Sequence, residues 1–232
     1  MKKYGLLRSV LVGGLMLNII GCGGGSSSET IQSEIIQEEQ LSSLSQELKD
    51  SIAFMYNEEG LAYDVYTHIY KFQVDNNLET VIQLQNIATN SETKHMTAVN
   101  ELAVKYDLNM TQYPDTDVPY SVDGIGNGSY SVEDMQELYT MLYAKGIQSK
   151  QDALEVGCMV EIVDIDDLDK YIAQAQASNA PDVLDVFNFL IQGSYKHYWK
   201  FNDTLVEMGI VDGCCQMAKD LGHDTCPNYP RN

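Results

Sequence analysis

The sequence predicts an all-α protein, a four-helix bundle with one short extra helix in a long connection. Apolar residues recur at alternating spacings of three and four from residue 44 onward. No strand-like alternation of useful length interrupts them. Pro and Gly punctuation divides the chain into four long amphipathic stretches and one short one.

The first 21 residues read as an address. Lys2, Lys3 and Arg8 give a basic start, and Val10 to Ile20 is an apolar run. That run is too short for a mature membrane span, which needs ~20 residues, and it fits a secretory signal peptide. It ends Ile19-Ile20-Gly21-Cys22, which resembles a bacterial lipobox, where the Cys is lipidated and becomes the new N-terminus. Cleavage before Cys22 removes three cations and no acid, taking the formal charge from −20 to −23. Residues 22–43 read as the lipidated Cys22 and a flexible tether, opening Gly23-Gly24-Gly25-Ser26-Ser27-Ser28. A coil of ~20 residues reaches roughly 25 Å. The expected location is therefore outside the cytoplasm, lipid-anchored to a bacterial membrane, on the periplasmic side of the outer membrane or at the cell surface.

The bundle is expected over residues 44–209. Its first stretch runs from about Leu44 to Val74, with Ile52, Met55, Glu59, Ala62, Tyr66 and Ile69 on one stripe. An adjacent stripe, Phe54, Glu58, Leu61, Val65 and Phe72, leaves open which of Glu58 and Glu59 points inward. The second stretch, Leu78 to Asp107, carries Leu78, Val81, Gln85, Ala88, Glu92, His95, Val99 and Leu102. A connection rich in Pro and Gly follows, Asn109 to Tyr130, too long for a hairpin and long enough for a crossover. The short helix spans about Val132 to Ala144 and is closed by Gly146. The third stretch, Lys150 to Ala177, has the stripe Leu154, Gly157, Glu161, Asp164, Leu168, Tyr171 and Ala175. Pro181 opens the fourth at a position suited to a helix start, with Val183, Phe187, Leu190, Ser194, His197 and Phe201 inward. Residues 210–232 form a Cys-containing tail.

Each inward stripe is interrupted by polar residues near its middle. An unpaired buried carboxylate is very costly, so buried charges are paired or bind metal. Residues three apart share a helix face, which lets Glu92 and His95 serve one ion or bracket two. Glu161 and Asp164 have the same spacing. With Glu59 and His197, the inventory is four carboxylates and two histidines, a charge of −4 that two divalent cations would neutralise. Oxygen-rich ligation with one imidazole per ion suits iron or manganese better than structural zinc. A single Glu-x-x-His is a weak signal; the force lies in four helices each offering a ligand at mid-stripe.

Glu59, Glu92-x-x-His95 and Glu161 resemble the ferritin-like superfamily of diiron carboxylate proteins. Four blocks, 58–66, 86–96, 161–168 and 193–197, resemble more closely a bacterial and archaeal ferritin-like domain family of unknown function, over about residues 46–206. The resemblance implies a ferritin-like four-helix bundle around a metal site, with two irons expected and Mn, Zn or Cu as alternatives. It implies no particular reaction. The pattern expects Glu-x-x-His on the fourth helix, where this chain has Ser194-x-x-His197. Asp164 then restores the ligand count. Tyr66, two turns after Glu59, is placed as a redox relay near the metals or as core filling. Asp167 is either a partner to a histidine or a surface acid. Asp64 and His68 read as a solvated pair.

Among the cysteines, Cys158, Cys214, Cys215 and Cys226 permit three disulfide connectivities. Cys214, Cys215, His223 and Cys226 also form a loose alternative metal cluster. Asp115, Asp117 and Asp123 hint at calcium without regular ligand spacing.

A charge of −20 argues against nucleic acid as a partner. Metal ions and a lipid anchor are the partners expected. Three functions fit the residues. They are a diiron oxidoreductase acting on peroxide or dioxygen, non-catalytic metal capture or buffering at the cell surface, and a structural bundle. The sequence specifies neither an electron donor nor an oligomeric state, and a lipid-tethered N-terminus would hinder a closed cage.

Overall fold

Four long helical rods and a short one appear where the periodicity places them, in a computed structural model that describes residues 43–108, 110, 125–130 and 132–231. The signal peptide, Cys22, the tether up to residue 42 and Asp115, Asp117 and Asp123 lie outside the described residues. Helix α1 spans Gln46–Asp75 and is capped by Ser45, whose hydroxyl accepts from the Leu48 N–H. The second rod is α2 (Ile82–Ile87), a π-helical turn (Ala88–Glu92) and α3 (Thr93–Lys105) in unbroken succession. Helix α4 is Glu133–Gly146, α5 Lys150–Ala177, α6 Pro181–Glu207 and α7 Cys215–Asp220. No strand occurs among the described residues, and no helix there is long and apolar enough to cross a membrane.

Contacts at the ends of the rods fix their directions. The N-terminal part of α1 meets the C-terminal part of α5 through Ser51 and Gln174, 2.6 Å apart. Tyr106, just after α3, donates to Asp182 in the first turn of α6 at 2.7 Å. Gln83 of α2 donates to Thr204 near the end of α6 at 3.0 Å. The second rod and α5 are therefore parallel, and residues 106–149, which include α4, carry the chain from one end of the bundle to the other. The long connection is a crossover.

Three helix ends are closed by left-handed residues other than Gly. Asn77, Asp107 and Asn179 have φ near +50°. The N–H of the next residue bonds five residues back, as from Leu78 to Gln73 and from Ala180 to Ala175. Gly146 is not such a cap. A Cβ there would stand within clashing distance of the Ile69 side chain, so this glycine allows α4 to lie close on α1.

The π turn corrects the second stripe. Two successive four-residue steps in an uninterrupted α-helix drift about 80° around the axis. Here the Thr93 N–H reaches back five residues to Ala88, and this wider turn absorbs the drift. Leu84, Ala88 and Glu92 all face the core as a result. Gln85 is only half-buried, and Leu78 is 48% exposed, beyond the helix start.

The tail is packed rather than loose. Cys158 of α5 is bonded to Cys214, and Cys215 to Cys226. Tyr229 stacks on Tyr195, and Arg231 lies 3.6 Å over the Trp199 ring while pairing with Asp203.

Candidate metal centre

Each rod delivers one polar step to the same level of the bundle. Glu59 comes from the middle of α1, flanked on its face by Met55 and Ala62. Glu92 ends the π turn, and His95 lies three residues later on the first turn of α3. Glu161 comes from α5 and His197 from α6. All five are buried.

These side chains form two triads that share one member. Glu59, Glu92 and His95 bring one ligand atom each within 4.8 Å of one another, and so do Glu92, Glu161 and His197. Glu92 divides its two oxygens between the histidines. Oε2 lies 3.1 Å from His95 Nδ1 and Oε1 lies 3.2 Å from His197 Nδ1. His95 Nδ1 also lies 3.1 Å from Glu59 Oε2, and His197 Nδ1 lies 3.4 Å from Glu161 Oε2. The two imidazoles stack, with centroids 5.8 Å apart.

Several of these atoms have no hydrogen-bonding partner. Glu59 Oε1, Glu92 Oε1, Asp164 Oδ1 and His197 Nδ1 are buried without one. His197 Nδ1 is near both carboxylates, but neither contact is aligned as a hydrogen bond. Buried polar groups are nearly always satisfied. A cluster of unsatisfied carboxylate oxygens facing an imidazole nitrogen fits a cation, which takes lone pairs without needing donors. The residue types agree, with hard oxygens and one imidazole in each triad.

Without metal, protons take part of that role. Burial alone would lower the His197 imidazole, but Glu161 and Glu92 overcome it and push it up to about 10. His95 is likewise raised, because Glu59 and Glu92 outweigh its burial. Burial works to raise Glu92, yet His197 and His95 pull it below the usual carboxylate range. Burial raises Glu59 and Glu161 against the same histidines.

Asp164 is buried beside the triads but belongs to neither. Ser194 donates to its Oδ2 and also to the Leu190 carbonyl. Where the ferritin-like resemblance leads one to expect a Glu on the fourth helix, this chain has a Ser–Asp pair between α6 and α5. Burial and Glu161 push Asp164 up to about 7. Tyr66 is fully buried and donates to Glu161 Oε1 at 2.5 Å, so it touches the centre through a member of the second triad. Its ring packs on Phe201, and Phe201 occupies the space left by Gly157.

Two residues of the centre stand inside the resembling blocks with no role assigned to them by the sequence. Gly193 leaves room for His95, since a Cβ there would stand 2.4 Å from Nε2. Ser91 reaches the same nitrogen at 3.4 Å. The clue was local, because Gly193 directly precedes Ser194 and Ser91 is one helical turn before His95.

Both Glu58 and Glu59 are buried, but only Glu59 meets His95. Burial, with Asp167 and Asp164 alongside, raises Glu58 well above the usual carboxylate range. Asp64 and His68 are not a solvated pair. Asp64 is fully buried and accepts from the Gly128 N–H at 3.0 Å and the Tyr130 hydroxyl at 2.7 Å, while His68 meets the Tyr139 hydroxyl. Asp64 thereby ties the end of the crossover to α1. Asp167 is neither a histidine partner nor a surface acid; it is buried and pairs with Lys170 at 2.6 Å. The alternative cluster of Cys214, Cys215, His223 and Cys226 is excluded, because the thiols are used in disulfides and His223 pairs with Asp166.

Residues 48–220 match a family described as "Uncharacterized protein domain (DUF2202)". The chain is similar to the uncharacterized protein MJ0754 of Methanocaldococcus jannaschii, 36% identical over 169 residues, which cover 72% of this chain and 79% of the relative. The crystal structure titled as that hypothetical protein matches at a TM-score of 0.59 and 34% identity, covering 72% of this chain and 84% of that one.

Proposed function

The chain belongs to the DUF2202 family, whose description assigns no activity, and from the centre itself we propose that it is a metal-binding bundle of the ferritin-like kind. Two divalent ions are held, iron first, with Glu59, Glu92 and His95 around one and Glu92, Glu161 and His197 around the other. The observation that carries this reading is the membership of Glu92 in both triads. Diiron carboxylate bundles use a Glu from each of two helices and Glu-x-x-His from the other two, in a fold with one long crossover. This chain keeps the crossover and five of those six ligands, with Ser194 and Asp164 in the sixth place.

Two ferrous ions held there would supply, on oxidation, the two electrons that, with two protons, take peroxide to water. The residues set the stage for that chemistry. Glu92 holds the two sites at one spacing. Burial around Phe187, Leu190 and Val99 excludes water from the bundle interior. Tyr66 holds the orientation of Glu161 and keeps a hydroxyl proton one bond from the centre, where a relay of electron and proton would start.

Metal capture without turnover is the second reading. It is favoured by Cys158, Cys214, Cys215 and Cys226 all being in disulfides, which leaves no thiolate among the described residues to hold an electron-donating iron. Elemental analysis of the purified chain, followed by anaerobic reloading with Fe(II), Mn(II), Zn(II) or Cu(II), tests both. About two irons per chain with an optical change on adding peroxide is expected of the oxidoreductase. The same content with no response to peroxide fits capture. Failure to hold any metal would make the polar layer structural and overturn both readings.

We further propose that the chain is exported and lipid-anchored through Cys22. Cys22→Ala is expected to release it from membranes, and continued membrane fractionation would remove that reading.

A further inference from the structure

The acids beyond the two triads are arranged in a line that leads out of the bundle. Along α5, Glu161, Asp164, Asp167 and Lys170 follow one another at intervals of three. Each such step turns about 60° around the axis and advances about 4.5 Å. Four residues therefore wind from the inward face to the opposite side over roughly 14 Å. The first three are buried, and Lys170 has a side chain 60% exposed. Lys170 closes the outer end by an ion pair with Asp167 at 2.6 Å.

A second helix supports the same line. Glu58 of α1 is buried, its Oε2 has no hydrogen-bonding partner, and the charges acting on it are, in order, Asp167, Asp164, Glu59 and Lys170. Neighbouring Asp164 likewise keeps Oδ1 without a partner. No three of these acids gather tightly enough to form a further ion site among the described residues. Buried carboxyl groups that keep an oxygen without a partner, as Glu58 and Asp164 do, are costly in a bundle that needs only packing. They suit a species that passes and does not stay.

We infer that divalent cations enter the centre along the α1–α5 seam, from Lys170 and Asp167 at the surface, past Glu58 and Asp164, to Glu59 and Glu161. This inference rests on the proposed metal centre. Asp167 and Glu58 act as successive oxygen ligands that replace hydration water one step at a time. Lys170 is a latch, because its ammonium competes with the arriving cation for Asp167 Oδ1. A path lined by one sign of charge raises the local concentration of the counter-ion and its on-rate by roughly 10- to 1,000-fold.

The test is stopped-flow uptake of Co(II) by the metal-free full chain, read by its absorption, with the final content measured separately. Glu58→Gln and Asp167→Asn keep shape and remove a carboxyl group that can ligate a passing cation. Both are expected to slow uptake by about tenfold or more and to leave the final content equal to that of the unaltered chain. Lys170→Ala, a surface change, is expected to speed it. Uptake at the unaltered rate in all three variants would overturn the route while leaving the centre standing. A lower final content in Glu58→Gln with an intact melting transition would make Glu58 a ligand and also overturn the route. Absence of uptake by the unaltered chain would instead remove the metal centre itself, and the route with it.

Discussion

Gly193 of α6 faces the back of His95 so closely that a methyl group there would stand 2.4 Å from Nε2. The ring has little room to retreat, since His197 stacks on it at 5.8 Å and Phe189 meets it edge-on at 5.3 Å. Gly193→Ala gains about 1 kcal/mol in helix propensity but overpacks a buried site, which costs about 1–3 kcal/mol. The clash should win at the centre. The expected outcome is a lower melting temperature and loss of the ion beside His95, read by calorimetry and elemental analysis. A variant that binds metal normally would show that His95 moves aside without consequence.

Tyr66 makes the second test of the centre. Tyr66→Phe keeps the ring packing on Phe201 and removes only the hydroxyl that donates to Glu161 at 2.5 Å. Loss of a bond to a charged group costs about 1.5–3 kcal/mol, and loss of a partner to a metal ligand lowers affinity about 10- to 100-fold. Denaturant unfolding of the metal-free chain and competitive metal titration measure the two effects. An unchanged affinity would reduce Tyr66 to core filling.

The fold was legible wherever the helical period is uniform. The inward residues of α1 and α6, from Ile52 to Ile69 and from Val183 to Phe201, are buried as their spacing requires. The period misleads on the second rod, because a π turn is a backbone decision that no hydrophobic pattern announces, and Gln85 was placed where Leu84 belongs. The candidate ligands were legible because a carboxylate on an apolar stripe is conspicuous. Asp64 was not, since its partners Gly128 and Tyr130 become neighbours only through the loop; Lys170 stands three residues after Asp167, but the burial that makes this pair count is set by packing against α1. Gly193 stands inside the block 193–197, but its role was not legible there, because a residue that acts by leaving space has no side chain to notice.

Stability of the metal-free chain should fall as pH rises. A histidine whose folded pKa is raised stabilises fully below its unfolded value of about 6.5 and loses that contribution as pH rises through the folded value. His197, pushed up to about 10, and His95, also raised, lose it on the alkaline side. Asp164 works in the same direction, because a carboxyl raised to about 7 favours the folded state below its unfolded value and ceases to do so as pH passes the folded one. Thermal melts with chelator at about pH 6 and about pH 9 should show the lower transition at the higher pH. Added metal should reverse that order, since cations displace the protons and bind better when ligands are deprotonated. A melting temperature independent of pH would refute the assignment of protons to the histidines.

The two disulfides should differ in weight. Cys158 and Cys214 are 56 residues apart in sequence, while Cys215 and Cys226 are 11 apart. Loop-closure entropy assigns about 4 kcal/mol to the first and about 3 kcal/mol to the second. Cys158 also lies one turn before Glu161 on α5, so its bridge steadies the segment that carries Glu161. Replacing both members of a pair by Ser and unfolding in denaturant measures each cost. The Cys158–Cys214 pair is expected to cost more and to weaken metal binding; the reverse order would show that the tail, not α5, is what the bridges hold.

The sharing of Glu92 predicts an asymmetry among the carboxylates. Glu59 and Glu161 each serve one triad, whereas Glu92 serves both, with Oε2 toward His95 and Oε1 toward His197. Gln keeps the shape of Glu but loses the charge and one acceptor oxygen. Glu59→Gln and Glu161→Gln are each expected to leave about one ion per chain, and Glu92→Gln about none, as a bridging ligand orders both sites. Replacing His95 and His197 together by Ala should also abolish tight binding, since each site loses its only nitrogen. Elemental analysis after gel filtration reads the outcome, with circular dichroism to confirm that each variant is folded. If Glu92→Gln keeps one ion while Glu59→Gln keeps two, the triads do not share a ligand, and the centre holds its ions independently or holds only one.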